Sequence, residues 1–291
     1  MADEKKPAST AKTTTRKVVA ASPSTSAGKT AKATSGVPTQ KFTPTEASKK
    51  KALTNRILAA IFWAVAIGLE MFTIFWILKR TELKGFMVWL IAAIVVIGIL
   101  AIIGSQLWKR ANRYDPASEK DTVRFFIQNQ LGVIITIIAF LPLIILIFLN
   151  DDMKGSQKAI AGTIGIVVMA ITGLASVDWN PPSIEKMTEE QRIACAFSAG
   201  CEVYWVEKGS VYHLCSHKDN NGNGILDDEE NNDANLIGAF KNGTSPIQVG
   251  TLEKAVEEGK FRLSMYGFSE CGYDENKPVF PACMEDATNC Q

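Results

Sequence analysis

The sequence predicts an α-helical membrane protein: a bundle of four transmembrane helices with a disordered N-terminal tail and a small α+β C-terminal domain. Three observations carry that prediction. Four apolar segments, at about 57–78, 86–108, 125–149 and 159–177, meet the roughly 20-residue requirement for crossing a hydrocarbon core. Charge is segregated, with twelve Lys/Arg against three Asp/Glu in residues 1–56 and nine against nineteen in residues 183–291. The overall net charge of +1 therefore describes neither end of the chain. Finally, all six cysteines occur at or after Cys195, so the C-terminal region has a chemistry the spans lack.

Residues 1–54 form a basic tail of Ser, Thr, Ala, Lys and Pro with almost no large side chains to bury. Burial could not offset its chain entropy, so the tail reads as disordered. It also lacks the apolar core of a signal peptide. It is either a solvated linker or an arm attracted to anionic lipid or to the acidic C-terminal region.

The transmembrane domain covers residues 55–178. "IAAIVVIGILAII" is apolar on every face, unlike a water-soluble amphipathic helix. The fourth span is the weakest; Gly162, Gly165 and Gly173, with Ala161, Ala170 and Ala175, suit close helix packing. Trp76, Trp89, Trp108 and Trp179 mark span ends, and Pro181–Pro182 stop the last helix. Lys49, Lys50, Lys51 and Arg56 flank the first span, and Lys109, Arg110, Arg113, Lys120 and Arg124 fill the second loop. The first loop holds only Lys79, Arg80 and Lys84, and the third Lys154 and Lys158. The positive-inside bias predicts a cytoplasmic tail and, with four crossings, a cytoplasmic C-terminal region in the cell membrane.

Glu70 is the intramembrane carboxylate, beyond the midplane of the first span, and such a residue is a functional candidate. The structural reading is a protonated Glu70 donating one hydrogen bond to a neighbouring helix, for instance to Thr163. Pro142 kinks the third span or is accommodated by its neighbours.

Residues 183–291 read as a small α+β domain. Thr188 and Gln191 suggest a capping box, with Gly200 ending that helix. "EVYWVEKGSVYHLC" reads as a hairpin turning at 207–209, and "GTLEKAVEEGKFRL" as a helix capped by Thr251 and stopped by Gly259, with a strand at 261–265. These residues carry a resemblance. "VYWVEKGSVYHLC" followed by "GTLEKAVEEGKFRL", with "NQLG" and "FLPLIILIF" in the third span, resembles an actinobacterial family of multi-span membrane proteins of unassigned function. It covers roughly residues 55–265, and the hairpin is its most specific part. Residues 219–233 look like an insertion and the cysteine-bearing tail like an extension. The family lends no activity.

The inserted "DNNGNGILDDEE" matches a twelve-residue calcium loop. Asp219, Asn221, Asn223, the Ile225 carbonyl, Asp227 and Glu230 occupy the ligand positions, and Gly224 the sharp turn. No entering helix precedes it and Asn stands at two ligand positions, which predicts weak affinity, on the order of 10⁻⁴–10⁻³ M. Such a site fills outside a cell, and six cysteines would there suit disulfides, in tension with the charge rule. The extracellular placement is the alternative; under the charge rule the thiols stay mostly reduced. His213, Cys215 and His217 would share one face of a strand, as a partial zinc site or with Cys215 in a disulfide.

The sequence thus predicts a membrane-anchored binding or sensing module with one weak calcium loop. A small-solute or ion transporter using Glu70 is the alternative. No nucleophile–base arrangement, phosphate loop or acid pair points to an enzyme. The bilayer and anionic lipid are the partners expected, and nucleic acid is not.

Overall fold

The computed structural model describes residues 18–20, 41–197, 201–217, 236–241, 246–267 and 269–272. Two units result: Gln40–Glu190, and Gln191–Gln291 together with Met1–Thr39.

Four long helices make the first unit: α1 (Glu46–Phe72, continued as a π-helix over Thr73–Ile77), α2 (Phe86–Tyr114), α3 (Thr122–Leu149) and α4 (Gly155–Ser176). All four are long and apolar enough to cross a membrane. α1 begins eleven residues before its apolar stretch, at Glu46 rather than 57. Its start is set by the Thr45 hydroxyl, which accepts from the Ser48 N–H at 3.0 Å, with Glu46 suited to the positive end of the helix dipole. The Asp121 carboxylate caps α3 in the same way through the Arg124 N–H.

Helix α2 packs against each of the other three. On α1, Ala52, Ala59, Trp63, Ala66 and Glu70 are buried, whereas Ile57, Ile61 and Val65 form an exposed stripe suited to lipid. Small residues set the approach. A Cβ on Gly104 would lie 2.5 Å from the Trp63 ring, and one on Gly162 would collide with Phe148. Gly173, expected to help in the same way, has open space around it.

Polar contacts fasten the ends. Arg56 pairs with Asp115 at 2.8 Å, joining the start of α1 to the end of α2. Lys109 donates to the Ala175 and Val177 carbonyls (2.8 and 3.0 Å), satisfying groups that the end of α4 leaves open. At the opposite end, Asn150 donates to the Leu78 carbonyl at 2.9 Å. The chain enters and leaves the bundle at the same end, since the Phe42 N–H donates to the Thr188 hydroxyl at 3.0 Å. There Ser118 and the Glu119 N–H donate to Glu185. Burial alone would raise the Glu185 carboxyl, but these donors outweigh it and hold it below the ordinary glutamate range.

Helix α5 (Ile184–Phe197) starts earlier than the capping-box reading placed it. The Ser183 hydroxyl accepts the Lys186 N–H at 3.1 Å, so Ser183 acts as the cap. Thr188 is one turn inside the helix, donating to the Ile184 carbonyl.

The second unit is built on a sheet of β1 (Val18–Ala20), β3 (Ile247–Thr251) and β2 (Glu202–Val206), in that spatial order. β2 and β3 are antiparallel, with Tyr204 opposite Val249; β1 runs parallel to β3, with Val19 opposite Gln248. Structure at 18–20 departs from the expectation of a wholly disordered tail. Val18–Val19–Ala20 is β-prone, and an unpaired strand edge offers backbone partners to any extended segment. The rest of residues 1–40 lies outside the described residues.

Two buried layers flank β2. Val203 and Trp205 are fully buried on one face, as are Leu252, Ala255 and Val256 of α7 (Leu252–Glu257). Tyr204 and Val206 pack against Leu236, Ile237, Ile247 and Phe240, the last on α6 (Gly238–Lys241). Full burial of a side chain such as Phe240 contributes about 2–3 kcal/mol. Thr251 caps α7 through the Lys254 N–H, and Gly259, at φ 87°, takes the left-handed conformation that ends it. The turn at 207–209 is present, held by the buried Lys260, whose ammonium donates to the Glu207 and Gly209 carbonyls at 2.6 and 2.7 Å. Burial pushes the Lys260 ammonium below the ordinary lysine range, against the charges of Glu258 and Glu207. The second arm of the expected hairpin is irregular: it meets β2 in the single bridge Tyr204–His213. The strand expected at 261–265 is likewise only the bridge Tyr212–Leu263.

Candidate functional sites

His213, the first of three residues read as a partial zinc site, is buried, and its Nδ1 lies 2.7 Å from Glu270 Oε1. The second Glu270 oxygen accepts from the Ser264 hydroxyl at 3.1 Å. The Phe240 ring meets the imidazole edge-on, with centroids 4.9 Å apart. The contact with Glu270 fixes the orientation of the imidazole ring. His213 and Glu270 line an open cavity of about 560 Å³, together with Ala239, Ser264 and Tyr266. This arrangement presents hydrogen-bonding groups to a small polar ligand.

The zinc trio itself is not assembled. Cys215 is bonded to Cys271, and His217 Nδ1 pairs with the Ser216 hydroxyl at 2.9 Å. The one-face argument required a regular strand, but the chain bends here and His213, Leu214, Ser216 and His217 are all buried. Among the described residues no group of three or more His, Cys, Asp or Glu could hold a metal. The described cysteines form two disulfides, Cys195–Cys201 and Cys215–Cys271, where the charge rule predicted reduced thiols. Cys283 and Cys290 lie outside the described residues. So do the calcium-loop positions Asp219, Asn221, Asn223, Ile225, Asp227 and Glu230.

Sequence reasoning missed Glu270 and Ser264. Glu270 is 57 residues from His213, and its only local signal was the adjacent Cys271.

The second candidate is Glu70. It is fully buried, and neither carboxylate oxygen has a hydrogen-bond partner among the described residues. Thr163, suggested as its acceptor, is exposed on α4. The Leu143 N–H, next to Pro142 on α3, faces the carboxylate without completing a hydrogen bond. Ala66 and Ile74, one turn to either side of Glu70, belong to an apolar cluster with Leu90, Ile94, Phe140 and Leu143.

No family model matches the chain, and no curated protein or solved structure shows significant similarity to it.

Proposed function

We propose that the protein is a membrane-anchored binding or sensing module in which a calcium loop at 219–230 acts on the His213 cavity. The observation that carries this reading is the closure at the base of the loop. His217 pairs antiparallel with Leu236, and the Ile237 N–H donates to the Ser216 carbonyl at 3.1 Å. The residues flanking the acidic segment are therefore adjacent, as a loop wrapping one ion requires. Leu236, Ile237 and Phe240 continue from that base into the buried layer, and Phe240 touches His213. An ion held by the loop would thus reach the cavity through one ring contact.

The test is calcium titration of the full-length protein by calorimetry and thermal unfolding. Binding is expected with a midpoint on the order of 10⁻⁴–10⁻³ M and a rise in the unfolding temperature, both strongly weakened by Glu230→Gln. No heat and no thermal shift at millimolar calcium would remove the calcium part of the proposal.

The basic flanks at the shared entry and exit end of the bundle support a cytoplasmic C-terminal domain. A second reading, favoured by the two disulfides, has the domain outside the cell. After treatment of intact cells with an impermeant reductant, an impermeant thiol reagent decides. Labelling of Cys215 only after permeabilisation supports the first reading; labelling of intact cells supports the second.

A further inference from the structure

Glu70 lies where two helices depart from regular geometry at the same depth. α1 turns into a π-helix three residues later, at Thr73–Ile77. Opposite, α3 carries Pro142, which has no N–H to donate to the Ile138 carbonyl, and the next N–H faces Glu70. π-helical turns and proline kinks are the places where a helix yields most readily. The depths agree independently. Leu78 and Asn150 are hydrogen-bonded at the end of the bundle, and Glu70 and Leu143 precede them by about 12 and 10 Å of helix rise.

The surroundings supply no counter-charge. From α2 the apolar cluster receives Leu90, Ala93, Ile94 and Ile97, and from α3 Ala139, Phe140, Leu143, Ile144 and Ile147. The charged groups of these helices, Lys109, Arg110 and Arg113 on α2 and Arg124 on α3, lie at the other end of the bundle. On the Glu70 chain itself Arg56 lies toward that same end, and Lys79 is about 13 Å of rise away. On α4, Lys158 lies in the first turn, at the end of the bundle that Leu78 and Asn150 mark. A carboxylate with no ion-pair partner and no completed hydrogen bond in this setting is costly as an anion, and an apolar residue would fill the position without that penalty.

We infer that Glu70 is a proton-exchange site of the bundle, open to protons through the yielding stretches at Thr73–Ile77 and Pro142. One carboxyl oxygen gains or loses the proton, and nothing else is transferred. The site is independent of the C-terminal cavity and of calcium.

Infrared difference spectroscopy on the full-length protein in lipid vesicles tests this. A carboxylic-acid C=O stretch is expected at low pH, absent from Glu70→Gln and retained in Glu70→Asp. It should disappear reversibly as the pH is raised. In the unmodified protein the same band should shift on transfer to heavy water, a readout that needs no variant to fold. A band that neither titrates nor shifts would make Glu70 a fixed structural acid and overturn the inference. Absence of the band at every pH would overturn it too, because Glu70 would then be a permanently ionised, partnered carboxylate.

Discussion

The helical bundle and the C-terminal domain are held together in opposite ways. Along the bundle, neighbouring helices meet through small residues, and the tightest fits set a glycine against an aromatic ring: Gly104 against Trp63, Gly162 against Phe148. In the domain, single links join distant positions: Cys215 to Cys271, His213 to Glu270, Lys260 to the turn at 207–209. Between its polar-fastened ends the bundle is specified by composition repeated along each helix, whereas the domain depends on a few individual residues throughout. Damage should accordingly be graded in the first and abrupt in the second.

The largest expected effect breaks the domain alone. Reducing Cys215–Cys271, or replacing Cys215 with Ser, releases a cross-link spanning 56 residues, worth about 2–4 kcal/mol. Hydrogen exchange should then accelerate across Glu202–Val206 while the amides of α2 keep their protection. Equal acceleration in both would mean that the two regions do not differ as described. Next in size, Gly104→Leu drives a side chain into Trp63 and should lower bundle stability by about 1–3 kcal/mol, read as thermal unfolding in detergent. The smallest is its control. Gly173→Leu meets open space and should change stability by less than about 0.5 kcal/mol. A comparable loss at both glycines would show that close approach is not what distinguishes them, since helix propensity alone favours leucine over glycine.

The same contrast explains what was legible in the sequence. The four spans were readable because length and apolarity alone decide whether a helix can cross a bilayer, and the helices found contain nearly all of the apolar segments. The cap at Thr251 and the stop at Gly259 were readable because each acts within one turn. Partners across helices were not: Thr163 is the right residue type for Glu70, but α4 turns it outward. Of the small residues on α4, Gly162 and Gly165 meet neighbouring side chains and Gly173 meets none, a distinction set by helix rotation rather than composition. In the domain, strand periodicity failed at His213–His217 because a segment buried on both faces no longer alternates. Glu270 could not be anticipated, since only the disulfide and the chain around it bring the carboxylate to His213.

The fastening at the entry and exit of the bundle has a consequence for synthesis. Phe42 lies before the first span and Thr188 beyond the last, so the donor waits for its acceptor while 145 intervening residues are translated, the separation being 146. Ser118 likewise waits for Glu185, 67 residues downstream. A nascent chain halted after α3 therefore holds three helices whose α2–α3 loop has no clasp. Translation of α5 supplies the partners for the beginning of the helical core and for its middle loop in one step, so the bundle can be fastened while the rest of the C-terminal region is still to be made.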